Sequence, residues 1–188
     1  MRSFISGDHY SPEGRYDGKT SPAGPVYRSW YSSPVGWLEI RATQQAVTAL
    51  LFHNSPPPEQ AGGSNDHALL IKECRQQLDA YFQGTLRAFS LPLQQEGSGF
   101  QQQVWEELCH IPYATTLSYL QLARKIGDEK NVRAVGAANG KNNIAIIVPC
   151  HRVIGSNGKL IGYGGGLWRK QWLLEHEQKV AGLLNTLF

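Results

Sequence analysis

The sequence has no run approaching the roughly 18 consecutive apolar residues that cross a bilayer, and Met1-Arg2-Ser3 leads into no apolar signal core. Membrane insertion and secretion are therefore not expected, and the reading is of a cytoplasmic protein. Cysteine is scarce and odd in number: Cys74, Cys109 and Cys150 form no Cys-x-x-Cys pair and no Cys/His cluster at zinc spacing. That argues against a disulfide framework and against any metal. Nor is the composition that of a disordered tail or a fibrous repeat. Of 188 residues, 41% are hydrophobic, 10% aromatic and 18% charged, as in a folded chain of one domain or two small ones.

What charge there is lies unevenly. Residues 118–188 hold ten lysines and arginines against four acidic residues, a balance of +6, whereas residues 1–117 hold eight against eleven, or −3. The C-terminal part is the one that favours an anionic partner.

Residues 1–25 are rich in glycine, proline, serine and charge, without apolar periodicity, and read as a flexible arm. Strand-like runs follow at Val26–Tyr31, Trp37–Ala42 and Ala46–His53, with connections of hairpin length. After a Pro/Gly/Ser loop over 54–64, Leu70, Cys74, Leu78 and Tyr81/Phe82 recur at helical spacing within 66–83, which places Cys74 in the core. Phe89–Leu93 reads as a further strand, and 94–99 as a linker dividing a domain over 26–95 from one over 100–188. The second domain opens with a helix carrying Phe100, Val104, Trp105 and Leu108 on one face, with Cys109 half-buried at its end.

Two motifs carry chemistry. Ser118 and Gln121 form an S-x-x-Q capping box that opens a helix over 119–126, Gly127 supplies a turn, and Asn131 is placed to cap a second helix from Val132 to about Asn139. In that second helix Arg133 is followed by Ala134, Gly136 and Ala137, side chains small enough to let the backbone approach a DNA groove, or simply a neighbouring helix. The other motif is Ile144–Val148, an apolar run suited to a buried strand, ended by Pro149 and followed by Cys150-His151-Arg152-Val153. A cysteine delivered beside a histidine and an arginine is in a setting that can lower its pKa toward the nucleophilic thiolate. On the residues alone, a structural Cys-His pair, a Cys-His-Glu hydrolase and a DNA-binding damage sensor or regulator all remain open.

Val148-Pro149-Cys150-His151-Arg152-Val153, with Arg133-Ala134-Val135-Gly136 upstream and Gly165-Gly166-Leu167, Lys170, Trp172-Leu173-Leu174 and His176-Glu177 downstream, resembles the O6-alkylguanine-DNA alkyltransferases. The match runs without a gap over roughly 118–177 and more loosely from Val26, leaving the first 25 residues uncovered. The resemblance implies an α/β (α+β) fold: an N-terminal ribonuclease-H-like small antiparallel sheet with a helix, and a mostly helical C-terminal domain with a helix-turn-helix and an active-site cysteine loop.

It further implies stoichiometric, cofactor-free transfer of an alkyl group from O6-alkylguanine, and from O4-alkylthymine, in double-stranded DNA to Cys150. A monomer entering the minor groove is the implied assembly. His151 would act through a water as the base, Glu177 would orient it, and Asn142 would brace the active-site turn. Tyr119 would help rotate the nucleotide and protonate the leaving guanine, and Arg133 would take the place of the extruded nucleotide. Ala134, Gly136 and Ala137 would line the groove contact. Tyr163 and Gly164, where the family often has serine, would cover the base, and the carbonyls of Cys150 and Val153 would read its amino group. Ser156 and Gln101 are weaker candidates for phosphate contact.

Overall fold

The computed structural model describes residues 24–57 and 68–183. Most of the expected arm over 1–25, part of the loop over 54–64, and Asp66 and His67 at the start of the expected helix lie outside them. Three antiparallel strands, β1 (Tyr27–Ser33), β2 (Gly36–Ala42) and β3 (Val47–His53), pair in sequence order, with a register shift at Arg41/Ala42. Their inward positions, among them Tyr31, Leu38, Ile40 and Leu50, are buried beneath α1 (Leu69–Phe82), whose Leu70, Ile71, Cys74, Leu78 and Tyr81 form its inner face. Alternation in the strands and 3.6-residue spacing in the helix thus meet in one apolar layer.

The second half contributes α2 (Gly99–Cys109), a short β4 (Leu117–Ser118), α3 (Tyr119–Ile126), α4 (Val132–Gly140), a short β5 (Val153–Ile154) and α5 (Leu167–Val180). Helix α2 starts from a complete capping box between Ser98 and Gln101. The Trp105 indole donates to the Ala138 carbonyl at 2.9 Å, fixing α2 on α4. Both halves share a continuous core that runs from Leu38 and Leu50 to Trp105, Ile144 and Leu173.

Several local expectations are corrected. Ile144–Val148 is buried but is not a strand. Only Ile144 bridges β3, with Leu50 N–H donating to Asn143 O and Ala145 N–H to Leu50 O. The chain then folds back: Ile147 N–H donates to Ala145 O and Val148 N–H to Ile144 O, with Ile146 at φ 70°. A β-branched residue in that region is strained, and its side chain is 1% exposed, so packing holds it there. Phe89–Leu93 likewise contributes a single bridge, Leu93 to Val47. The expected linker is packed, since Gln95 is buried. Asn131 makes no side-chain cap; Asp128 instead caps the single turn over Glu129–Asn131 that leads into α4.

Candidate active site

Cys150 opens one turn of helix, Cys150–Arg152, which passes directly into β5. β5 pairs in parallel with β4, matching Leu117 to Val153 and Ser118 to Ile154. The reactive turn and the start of α3 are thereby held side by side, and Tyr119, the first residue of α3, comes with them. The capping box expected at Ser118 and Gln121 is present, and Gly127 ends α3 at φ 114°, a left-handed position that glycine adopts without a Cβ clash.

The turn is braced by one side chain. Asn142 Nδ2 donates to Val148 O at 2.8 Å and lies 3.1 Å from Cys150 Sγ, while its Oδ1 accepts from Ile144 N–H at 3.0 Å. The same amide therefore ties both ends of the fold-back to the sulfur. Burial pushes the Cys150 thiol pKa above its usual value, and the Asn142 contact, the Lys170 charge and local backbone N–H groups offset only part of that. This corrects the expectation of a thiol poised as thiolate. The sulfur sits in a dry place that favours the neutral thiol.

His151, the next residue, is fully buried. Its Nε2 lies 2.9 Å from Glu177 Oε1, so Nε2–H donates to the carboxylate and Nδ1 is left as the basic nitrogen. Nδ1 has no protein partner. Burial lowers the His151 pKa, Glu177 raises it in part, and the charges of Arg152 and Lys170 lower it further, so the ring is neutral and able to accept a proton at pH 7.

Glu177 is inaccessible although it lies on a terminal helix. Oε1 also accepts from Tyr81 Oη and Arg152 Nη2, each at 2.9 Å, and Oε2 accepts from Ala114 N–H and Arg152 Nε, each at 3.0 Å. Desolvation alone would raise its pKa. The hydrogen bonds donated by His151 and Arg152, with the Arg152 charge, outweigh that and hold it far below the usual carboxylate range.

Above the sulfur, Tyr119 Oη contacts Ile161 O at 3.4 Å and accepts from Asn139 Nδ2 at 3.3 Å. Its pKa is raised by burial and by the neighbouring Cys150, which keeps it a protonated donor. Lys170, quoted above in the family motif, is buried. Its ammonium donates to Ile161 O at 2.8 Å and Gly162 O at 3.3 Å, and burial lowers its pKa to about 8. Tyr163 Oη is buried beside the Cys150 sulfur, and burial with that neighbour keeps it un-ionised.

A cavity of about 160 Å³ lies against Cys150, walled by Leu50–Phe52 of β3 on one side and by Asn142, Tyr163 and Gly164 on others. Gly165 is required there, because a Cβ would meet Phe52 Cδ2 at 2.5 Å. Arg169 binds the same loop to the sheet, donating to Gly165 O, His53 O and Val35 O.

The remaining expected residues lie partly beside this cluster and partly on the surface. Arg133, Ala134 and Ala137 are exposed on α4, with Gly136 partly covered beside the Tyr119 ring. Val153 is buried, and its N–H donates to Cys150 O, leaving that carbonyl one further lone pair. Ser156 is exposed, and Gln101 has its side-chain oxygen committed to the α2 cap. Among the described residues no group of three or more His, Cys, Asp or Glu side chains could hold a metal ion, and no helix is long and apolar enough to cross a membrane.

Residues 99–179 match the family model described as 6-O-methylguanine DNA methyltransferase, DNA binding domain, and residues 26–95 match the ribonuclease-like domain of the same family. A methylated-DNA–protein-cysteine methyltransferase of Mycobacterium tuberculosis is 45% identical over 168 residues, 89% of this chain and 94% of that one. The chain belongs to this methyltransferase family. The corresponding protein of Methanosarcina barkeri is 53% identical over 154 residues, 81% of this chain and 98% of its own. The crystal structure of the M. tuberculosis O6-methylguanine methyltransferase superposes with a TM-score of 0.75 at 43% identity, covering 87% of this chain and 99% of that one. M. tuberculosis OGT in complex with DNA superposes at 0.74 and 43% identity, covering 82% and 94%.

Two partners of the buried carboxylate escaped the sequence reading. Arg152 stood in the quoted motif, and its place beside the histidine was a signal. Tyr81, 96 residues from Glu177, looked like one more apolar position on an amphipathic helix.

Proposed function

We propose that this chain repairs DNA by moving the alkyl group of O6-alkylguanine onto Sγ of Cys150, once per molecule. The observation that carries the reading is the buried series from thiol to base to carboxylate, with Cys150 lining a cavity and the adjacent His151 paired to Glu177 at 2.9 Å. Residues 26–95 serve as a bracing domain and 100–188 as the DNA-binding, alkyl-accepting one.

His151 Nδ1 takes the thiol proton through a water, and Glu177 stabilises the resulting imidazolium. The thiolate attacks the alkyl carbon in line with O6. The S–C bond forms as the C–O6 bond breaks, the electron pair passes into guanine, and Tyr119 supplies the proton that neutralises it. The product is a thioether. It has no carbonyl for water to attack, so the sulfur is not regenerated.

The base must leave the stack to reach a sulfur this deeply placed. Arg133 on the exposed face of α4 fits the vacated position, and the adjacent small residues suit close approach to the minor groove, with phosphate contacts making affinity fall with salt. A Cys-His-Glu hydrolase would give no use to that face, and a non-reactive sensor would give none to the thiol.

Intact-mass analysis after incubation with excess O6-methylguanine duplex tests the reading. One added methyl at Cys150 per chain, and none in Cys150→Ala, is expected; multiple turnovers, or methyl on another residue, would refute it.

A further inference from the structure

Resting on that reading of the site, we infer that Tyr81, on α1 of the N-terminal half, is a positioning residue for alkyl transfer, setting the strength with which Glu177 holds His151. Its hydroxyl donates to Glu177 Oε1 at 2.9 Å, onto the same oxygen that receives the His151 ring. Tyr81 is fully buried, so no solvent competes for that bond. Its ring is clamped against Phe82, Phe89 and Tyr113 at centroid distances of 5.3, 5.4 and 6.2 Å, which leaves the hydroxyl one direction to point.

The physical consequence follows from competition for one oxygen. A carboxylate oxygen satisfied by Tyr81 and Arg152 is a weaker acceptor for the His151 N–H, so the ring stays neutral and its Nδ1 remains free to take the thiol proton. The other groups facing this centre do not substitute for the phenol. Arg152 is fixed by its own bonds to Glu177 and to Ile111 O, and Tyr113, whose hydroxyl has no partner, carries the Arg152 and Arg87 guanidiniums over its ring. Lys170 lowers the His151 pKa through its charge, and Tyr163 faces Glu177 as a neutral phenol. His176 stands against the Tyr81 ring and bonds the Tyr81 carbonyl, not the carboxylate. Cys109, near Arg152, has its thiol pushed up to about 11 by burial and stays neutral.

The test is Tyr81→Phe, which keeps the ring and removes the donor. At saturating O6-methylguanine duplex and pH 7, the first-order rate of Cys150 alkylation should fall about tenfold, since the less satisfied carboxylate raises the His151 pKa and leaves fewer molecules with a neutral Nδ1 to take the thiol proton. The acid limb of the rate should move to higher pH, because the less satisfied carboxylate draws His151 toward imidazolium. The half-saturating duplex concentration should stay within about twofold, as expected of a group remote from the exposed face of α4. Replacing Tyr81 with 3-fluorotyrosine, a stronger donor, should move the limb the opposite way, and covers the case in which the Phe variant does not fold.

Wild-type rate and pH profile in Tyr81→Phe overturn the inference. So does a slower rate with an unmoved limb and a lowered melting temperature, which is the signature of packing alone. If wild type alkylates Cys150 and Tyr81→Phe matches it, only the role of Tyr81 fails. If wild type leaves Cys150 unmodified, the reading of the site fails and takes this inference with it.

Discussion

Glu177→Gln perturbs the centre of the site with almost no change in shape, and the structure sets the size of the effect. Five donor groups converge on the carboxylate: Tyr81 Oη, His151 Nε2 and Arg152 Nη2 on Oε1, and Ala114 N–H and Arg152 Nε on Oε2. A glutamine must turn its own NH2 toward one of these sets. The less costly choice faces Ala114 N–H and Arg152 Nε, leaving two donors opposed by a third and the guanidinium without its counter-charge. Breaking a buried pair from one side costs roughly 3–5 kcal/mol. A chain of this length shifts roughly 2–4 °C per kcal/mol, so melting should fall by about 6–20 °C.

The pH dependence carries a second sign. Because the folded state holds the Glu177 pKa far below its unfolded value near 4.3, its contribution is present above that pH and is lost as the solution is acidified. Urea unfolding at pH 7 and at pH 2.5 should therefore show the variant much weaker than wild type at the first and closer to it at the second. A loss under 1 kcal/mol at pH 7, or an equal loss at both pH values, would refute the account of Glu177 as a permanently ionised hub.

Arg133→Ala should slow repair in duplex DNA far more than reaction with free O6-benzylguanine, as rates on the two substrates will show; equal losses would remove Arg133 from the DNA step. Gly136→Ala should leave stability unchanged or raise it by up to about 1 kcal/mol in thermal melts, because a Cβ there meets Tyr119 only at an ordinary 3.9 Å, while duplex affinity in a filter-binding assay falls. Asn142→Ala removes the amide that joins Val148 O, Ile144 N–H and Cys150 Sγ, so the single-turnover alkylation rate should drop about tenfold or more with duplex affinity retained.

Much of this site was legible because its parts are local. The capping box at Ser118 and Gln121, the turn at Gly127 and the Cys150-His151-Arg152 series depend on residues a few positions apart, and they form as spacing and propensity indicate. The failures also have local causes. Ile144–Val148 has the composition of a strand, but the Asn142 amide and a single bridge to Leu50 offer it a tighter fold-back, and burial of Ile146 offsets the strain. Lys170 and Glu177 have the side chains of a solvated helix face, and nothing nearby in sequence reveals that their helix is covered by the active-site turn and by the loop carrying Ile161 and Gly162.

The sequence by itself determined roughly where the helices and the first three strands begin, which half carries the positive charge, and that a cysteine, a histidine and an arginine follow one another after a proline. Those are properties of neighbouring residues, settled by backbone preference and periodicity. Only the tertiary structure decided that the thiol sits in a dry place that favours its neutral form, that Glu177 is a buried acceptor for both halves of the chain, and that strand β3 walls the cavity at Cys150. Ionisation and hydrogen-bond satisfaction depend on what excludes water from a group, and that is fixed by residues distant in sequence which meet only when the chain is packed.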